Sequence, residues 1–314
     1  MNKAKISFII VNYNTEKYVE HCLNSIYSQK LPFEFEVIVA DNNSPQRSIE
    51  LLPAKFPDAA FLFLKFNGGF GYGCNEGAKK AEGDYLVFLN PDTELIDDSI
   101  KNMLEFMESN NLAGACTGLL LEEENLKAAY SFNDFPDLLW EFKQATGIGL
   151  MKKINSLNDS EEIKSGKPFE IDWAHGAFLM IKKSVFQMVN GFDEKIFLYF
   201  EDTDLQKRIQ LSGYRNYCIP ESRVIHHTQS SIKEEKLKRT YYYNMNISRL
   251  YYMNKYWTLI PVLLARIFYI FGSLLKMIKL IFQSQNMKSK IDRMKEHLIV
   301  IKIYLLKFNV TDTR

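Results

Sequence analysis

Residues able to do chemistry gather at a few places in this 314-residue sequence, most of them directly after a short apolar run. Asp41 follows Glu36–Ala40 in the string Asp-Asn-Asn-Ser. A carboxylate there can accept a hydrogen bond from a base or ribose, and the same string also reads as an Asx turn with a helix cap at Ser44. Residues Asn67 to Asn75 read NGGFGYGCN. Their glycines permit close backbone approach, and a helix starting there can turn its N-terminus toward a phosphate; a plain Gly-rich turn is the alternative. Asn90-Pro91-Asp92 follows Tyr85–Leu89. One carboxylate suffices for a divalent cation when a bound diphosphate supplies the other oxygens; a Pro turn is the competing reading. Glu201-Asp202-Thr203-Asp204 follows the aromatic stretch Ile196–Phe200. Carboxylates opening a helix complement its dipole, and an apolar wall raises a carboxyl pKa toward what a general base needs. His226 and His227 come after the last strand-like run, where a histidine pair is more often structural than metal-binding.

The elements that must position these groups alternate. Strand-like runs at Ser7–Val11, Glu36–Ala40, Phe61–Lys65 and Tyr85–Leu89 are separated by amphipathic stretches at Glu16–Ser28, Gln46–Phe56 and Gly73–Lys80. Such alternation with short connections predicts a parallel α/β sheet, whose ligands lie beyond the carboxyl ends of its strands. From about Tyr130 to Glu170 periodicity weakens, and loops with short helices are expected. A strand at Ala177–Ile181, a helix over Asp202–Ser212 closed by Gly213, and strand pieces at Tyr217–Ile219 and Arg223–Ile225 follow. Beyond Ser231 two or three helices are expected, including the run Leu259–Leu275 with Arg266 as its single charge.

Composition excludes several classes. With 46% hydrophobic and 25% charged residues the chain is not disordered or collagen-like. The net charge of +1 conceals a balance of −10 over residues 1–232 and +11 over 233–314. An acidic body argues against nucleic acid, and a basic tail points to an anionic surface, a membrane first. Cys22, Cys74, Cys116 and Cys218 form no CxxC pair, so neither zinc nor a disulfide framework is expected, and a reducing compartment fits. The six-residue run Ile6–Val11 reads as a strand and not as a signal peptide. The glycine spacing at 69, 71, 73 and 77 differs from the dinucleotide fingerprint and follows the third strand, which disfavours a nicotinamide dehydrogenase.

Taken in order, the stretches SFIIVNYNTEKYVEHCLNSI, VIVADNNS, FNGGFGYGCNEGAKKAEGDYLVFLNPDTEL, WAHGAFLMIKKSVF, GFDEKIFLYFEDTDLQKRI and SGYRNYCIPESRVIHH resemble the family 2 inverting glycosyltransferases of the GT-A fold, in their rhamnosyltransferase-like branch. The likeness runs from Ser7 to Ser231. It implies a GT-A catalytic domain (residues 1–232), a Rossmann-like mixed sheet flanked by helices; from its apolar run and basic charge, the helical region beyond it (233–314) is expected to associate with a membrane or with a second copy of the chain. It further implies transfer of a sugar from a nucleoside-diphosphate donor, dTDP-L-rhamnose first and a UDP-sugar second, to a hydroxyl of a lipid-linked saccharide. Asp202 would be the catalytic base. Asn12, Asn14, Asp41, Asn43, Asn67, Gly69, Asn75 and Asn90 would form the donor site. Asp92, with His226, would hold Mg²⁺ or Mn²⁺, and Trp173, His175, Gly176 and Glu201 would lie on the acceptor side. Three departures from the family pattern stand out: Asn90 replaces the first acid of a full Asp-x-Asp motif, Gln46 stands where many members have Asp, and Gln229 where relatives often have Gly. Bacterial surface polysaccharide is the expected product, and the cytoplasmic face of the cell membrane the expected location. A non-catalytic nucleotide-sugar-binding scaffold is the rival, and the joint presence of Asp41, Asp92 and Asp202 counts against it.

Overall fold

The computed structural model describes residues 5–46, 48–129, 131–148, 160–227, 235–283 and 286–307, together with Val310 and Thr313. The expected boundary at 232/233 and Gln229 lie outside these described residues. The chain divides into two compact units: Met1–Phe135 with Leu157–Glu194 and Glu201–Thr228, and Pro136–Ser156 with Lys195–Phe200 and Gln229–Arg314.

In the first unit, β1 (Lys5–Asn12), β2 (Glu34–Asp41), β3 (Ala59–Phe63) and β4 (Tyr85–Leu89) run parallel in the order β3-β2-β1-β4. β1 is apolar at nearly every position because both its faces are covered: Phe8 and Ile10 enter one core cluster, Ile9 and Val11 the other. The crossovers carry α1 (Glu16–Ser28), a 3₁₀ turn running into the short α2 (Leu52–Lys55), and α3 (Phe70–Lys80). The continuous helix expected over Gln46–Phe56 is broken, with Pro53 in the first turn of its second piece. α3 begins three residues earlier than expected, directly after Gly69 at φ +93°.

The sheet then changes direction. β10 (Phe178–Lys182) lies antiparallel between β4 and β6 (Ala113–Glu122), and β11 (Arg215–His226) runs parallel to β6. β5 (Thr93–Leu95) and β8 (Phe169–Ile171) pair antiparallel with the two halves of β11. The two strand pieces expected near Tyr217 and Arg223 are thus one strand, with a register shift between Cys218 and Arg223. α4 (Ser99–Ser109) covers β6 and β11. β7 (Phe132–Asn133) and β9 (Trp173–Ala174) form a small separate ribbon. Short helices α6 (Glu161–Lys164) and α7 (Lys183–Met188) precede α8 (Glu201–Leu211), which ends before Gly213 at φ +90°. All four cysteines are buried and free.

The second unit contains α5 (Leu138–Thr146) and three long helices, α9 (Glu235–Tyr256), α10 (Leu259–Phe282) and α11 (Met287–Leu306). α10 packs against α5 and α11. Its buried face carries Val262, Ala265, Tyr269 and Gly272, at spacings of three and four. Arg266, the one charge of the apolar run, is buried too, and its guanidinium donates to the carbonyls of Tyr304, at 2.6 Å, and Lys307, closing the end of α11. Tyr269 stacks on Tyr304 with ring centroids 4.5 Å apart and donates at 2.5 Å to Glu141 Oε2, which also faces Arg249 Nε at 3.5 Å. Burial pushes the Glu141 carboxyl up despite the nearby guanidinium. The opposite face of α10 is bare: Leu259 is 70% exposed, Ile267 58% and Phe282 84%. Among the described residues α10 is the one helix long and apolar enough to cross a membrane.

Candidate active site

Every residue expected in the site belongs to the first unit, and the structure draws them into three groups at the carboxyl ends of β1, β2 and β4 and around the start of α8.

The first group closes the ends of β1 and β2. Asn12, fully buried, donates from Nδ2 to Asp41 Oδ1 at 2.6 Å and to Ser44 Oγ at 3.1 Å, while its Oδ1 accepts from Thr15 N and Oγ1. Asp41 accepts further bonds from Ser44 Oγ at 2.6 Å and Ser44 N at 2.9 Å, the pattern of an Asx turn. The turn reading of Asp41 accounts for these bonds within the protein, but the helix cap expected at Ser44 is not formed, the next described helical residues beginning at Ser48. Asn14 and Asn43 are exposed and both adopt positive φ, a conformation that Asn tolerates better than most residues. Asn42, which no sequence motif singles out, donates from Nδ2 to Gly69 O at 2.8 Å, tying the β2 turn to the glycine-rich turn. Its buried Oδ1 makes no hydrogen bond among the described residues. Asn67 Oδ1 accepts from Gly69 N at 3.0 Å.

The second group lies beyond β4. Asn90 N donates to Ala177 O at 3.0 Å, and Asn90 O accepts from Thr93. Its backbone thereby fixes the turn that presents Asp92. Asp92 Oδ1 stands 3.2 Å from His226 Nε2, and both side chains are largely buried. The residues expected to share a divalent ion are therefore adjacent, brought there by the pairing of β5 with the end of β11 and by His227 N donating to Asp92 O at 2.9 Å. His226 Nε2 is buried and makes no hydrogen bond among the described residues. His227 turns away to Glu123 and Glu94. Burial pulls its pKa down, but those carboxylates outweigh burial and raise it.

The third group surrounds the start of α8. Asp202 Oδ2 accepts from Gly176 N at 3.0 Å and lies 3.8 Å from His175 Nδ1, while Oδ1 accepts from Thr203 N at 2.7 Å. These partners aim the carboxylate. A Cβ at position 176 would meet Phe70 at 3.3 Å and Asp202 Cβ at 3.6 Å, a tight fit that glycine avoids. Burial pushes the His175 imidazole below its usual value, with Asp202 pulling it up and His226 pushing it further down. Trp173 stands edge-on to His175 at 5.2 Å and donates from Nε1 to Asp134 O.

Two expectations about this group change. The carboxyl that burial raises is that of Glu201, fully enclosed and next to Asp202, and its Oε2 makes no hydrogen bond among the described residues. Asn75 reaches the site indirectly: its amide accepts from Phe192 N and donates to Phe192 O and Glu194 Oε1, clamping the turn after α7. Asp204 accepts from Arg208 Nε at 2.8 Å, and Arg208 holds the carbonyls of Val189 and Gly191. Gln206 is a functional support that sequence reasoning missed. It accepts from Ala174 N at 2.9 Å and donates to Ala174 O at 2.6 Å and Asp202 O at 3.1 Å, locking β9 to α8 and so His175 and Gly176 to Asp202. The available signal was a carboxamide four residues after Asp202, on one face of the helix with it.

A mixed sheet that reverses after four parallel strands, with acidic groups at its carboxyl edge and an aimed carboxylate at a helix start, is the arrangement of the GT-A fold. The chain belongs to glycosyl transferase family 2, whose family profile matches residues 7–187; a second profile, the N-terminal domain of galactosyltransferase, matches 161–232. It is similar to rhamnosyltransferase WbbL of Escherichia coli K12, 30% identical over 71% of this chain and 83% of that protein. It is also similar to the N-acetylglucosaminyl-diphospho-decaprenol L-rhamnosyltransferase of Mycobacterium tuberculosis, 25% identical over 71% and 76% of the two chains. In fold it resembles a mannosyltransferase from Pyrobaculum calidifontis solved with GDP-Man and Mn²⁺ (TM-score 0.59, 13% identity, 98% of this chain and 88% of that one). A likeness to GalNAc-T7 solved with UDP, GalNAc and Mn²⁺ reaches a TM-score of 0.61 at 13% identity, over 98% and 57%. The protein is a glycosyltransferase.

Proposed function

We propose that this enzyme transfers L-rhamnose from dTDP-L-rhamnose, with inversion, to a hydroxyl of a lipid-linked saccharide during synthesis of a bacterial surface polysaccharide. The names of the two rhamnosyltransferase relatives support the sugar, and the second of them supports a lipid diphosphate acceptor. The observation that carries the mechanism is the Asp202 carboxylate, aimed by the Gly176 N–H and 3.8 Å from His175 Nδ1, with the Asp92–His226 pair standing beyond β4.

Inversion takes one in-line displacement at the anomeric carbon. The acceptor hydroxyl attacks, its proton passes to an Asp202 oxygen, and the bond to the nucleoside diphosphate breaks. A positioned base contributes about 10²–10⁴ in rate, or roughly 3–5 kcal/mol. The remainder comes from orientation and from stabilising charge on the departing diphosphate. Asp92 and the His226 nitrogen fit a divalent cation of the Mg²⁺ or Mn²⁺ type, given that the diphosphate and water complete its shell. Such an ion supplies charge neutralisation at the diphosphate oxygens. The base-binding role proposed for Asp41 uses the lone pairs left after its Asx turn, with Asn14, Asn43 and Asn67 around it. Trp173, His175 and Gly176 line the acceptor side, where Glu201 is buried support beneath Asp202.

The bare apolar face of α10 and the +11 balance of residues 233–314 support peripheral attachment to the cytoplasmic face of the membrane, where a lipid-linked acceptor resides. The C-terminal region is accordingly a membrane-associating module, and a contact between copies of the chain is its rival. The test of function is nucleoside diphosphate release and product formation over a panel of dTDP- and UDP-sugars with a lipid-linked N-acetylglucosamine acceptor. Turnover with dTDP-L-rhamnose at least tenfold above any UDP-sugar is expected. Preference for a UDP-sugar would overturn the donor assignment.

A further inference from the structure

Gly69 opens α3 with φ +93°, and a side-chain amide reaches each of its backbone groups. Asn67 Oδ1 accepts from Gly69 N at 3.0 Å, and Asn42 Nδ2 donates to Gly69 O at 2.8 Å. The first bond stays inside the glycine-rich turn. The second crosses from another strand, because Asn42 directly follows Asp41 at the end of β2. Asn42 is anchored at its own backbone. Its N donates to Asn12 O at 2.8 Å, and the neighbouring Asp41 O accepts from Leu64 N at 2.9 Å, which ties this point of the chain to the end of β1 and to the residue after β3. The Asn42 side chain is 2% exposed and lies against α3 at Gly73, where an added Cβ would stand 3.3 Å from its Nδ2 and 2.7 Å from Val11.

The amide is not held there for its acceptor. Asn42 Oδ1 is buried and makes no hydrogen bond among the described residues, a penalty that an apolar side chain of similar size would not carry. Gly69 O does not depend on the amide for a partner either, since Gly73 N also donates to it, at 3.2 Å. Stability therefore gains little from this side chain being Asn. What the amide does alone is to fix Gly69, and with it the start of α3 and the Asn67 bond, against the strand end that carries Asp41.

We propose that Asn42 is a positioning residue for donor binding: its amide locks the glycine-rich turn to the Asp41 turn, so that the two parts of the nucleotide site stand in place before the donor arrives. This role rests on the donor-site reading of Asp41, Asn67 and Gly69 given above. An untied turn has to be ordered at the moment of binding, so the lock acts on donor affinity. It leaves the displacement step at Asp202 untouched.

The test is steady-state transfer by the full-length enzyme from dTDP-L-rhamnose, or from the UDP-sugar that the donor panel selects, to lipid-linked N-acetylglucosamine, together with calorimetric binding of the matching nucleoside diphosphate. Asn42→Leu keeps the volume and removes both amide groups, and Asn42→Ala removes them with less demand on the space at Gly73. Each should raise donor KM and weaken nucleoside diphosphate binding about three- to tenfold, the range that loss of one hydrogen bond spans, with kcat within about two-fold of wild type. Thermal unfolding of Asn42→Leu should match the wild type or exceed it, which an amide kept for structure would not allow. Asn67→Ala should raise donor KM as well, and the pair Asn42→Leu with Asn67→Ala should cost less than the product of the two single effects, because both act on Gly69. Wild-type KM in both Asn42 variants, a loss of thermal stability in Asn42→Leu, a fall in kcat equal to the rise in KM, or full multiplication in the pair would overturn the proposal. Asp41→Ala separates the lock from the site it serves. Raised donor KM there beside wild-type KM in the Asn42 variants refutes the lock alone; unchanged donor KM in Asp41→Ala removes the donor-site reading and the lock with it.

Discussion

Asp202 and Glu201 are neighbours with opposite circumstances. Asp202 is held by the Gly176 N–H and by Thr203 at the mouth of the site. Asp202→Asn is therefore expected to keep donor binding within a few-fold and to lower transfer by at least about 10². Retention of more than a tenth of wild-type rate would remove it as the base. Glu201 is enclosed, and burial followed by the charge of Asp202 raises its carboxyl well above the usual range. A raised folded-state pKa means that the native protein binds the proton more tightly than the unfolded chain, so stability is lost as pH rises above the unfolded Glu value. Glu201→Gln should accordingly match the wild type in urea denaturation near pH 4 and exceed it by at least about 1 kcal/mol at pH 8, one pKa unit being worth about 1.36 kcal/mol. An unchanged difference between the two pH values would show that the carboxyl is not held protonated. Asp92→Ala is expected to raise the metal concentration needed for half-maximal activity and to weaken nucleoside diphosphate binding. Full wild-type activity in excess chelator would exclude a metal role for the Asp92–His226 pair.

At the level of elements, the parts of the fold readable from sequence are those with one strong local cause. α1 and β4 lie where periodicity and an unbroken apolar run put them, at Glu16–Ser28 and Tyr85–Leu89. β6 and α4 escape the sequence pattern. β6 is AGACTGLLLE, and its small residues carry no strand propensity; they are there because neighbours press on them, a Cβ at Gly118 falling 2.1 Å from Ser222 O. The order of the acidic motifs was legible, and so was the adjacency of Asp92 and His226. What sequence could not convey was which polar side chains spend themselves inside the protein, as Asn12, Asn75 and Gln206 do, because each makes bonds to residues 29 to 119 positions away. Gln206 gives an element-scale prediction. Gln206→Leu leaves Ala174 N and O without partners, at about 1–3 kcal/mol for each buried group. The loss of β9 registry should lower kcat through His175 and Gly176 while donor KM changes little. If kcat stays at the wild-type value, the clamp does not position the site.

Over the whole molecule, the charge asymmetry and the organisation of the second unit bear on how membrane attachment can be tested at all. Removal of everything after Ser231 looks like a clean way to delete a tail. The structure argues otherwise, because α5 and Lys195–Phe200, which come before that point, are built into the same unit as α9–α11. Truncation would strip Arg249 and Tyr269 from Glu141 and uncover Ala145 against Gly272, leaving a buried carboxyl and an apolar helix face in water. The truncated protein is expected to aggregate or to unfold at least several degrees below the full chain, so its failure to sediment with vesicles would carry no information about lipid. Substitution on the bare face avoids this. Ile267 and Phe271 are 58% and 55% exposed. Ile267→Asn with Phe271→Ser should leave thermal unfolding within about 2–4 °C, corresponding to less than about 1 kcal/mol. If that face enters the lipid interface, each side chain loses about 1.5–3 kcal/mol of burial, and vesicle affinity should fall by well over tenfold for the pair. Release of nucleoside diphosphate to a soluble acceptor should persist. A double variant that is folded, active on soluble acceptor and undiminished in vesicle binding would move the face of α10 from the membrane to a contact between copies of the chain, for which concentration-dependent sedimentation is the next measurement.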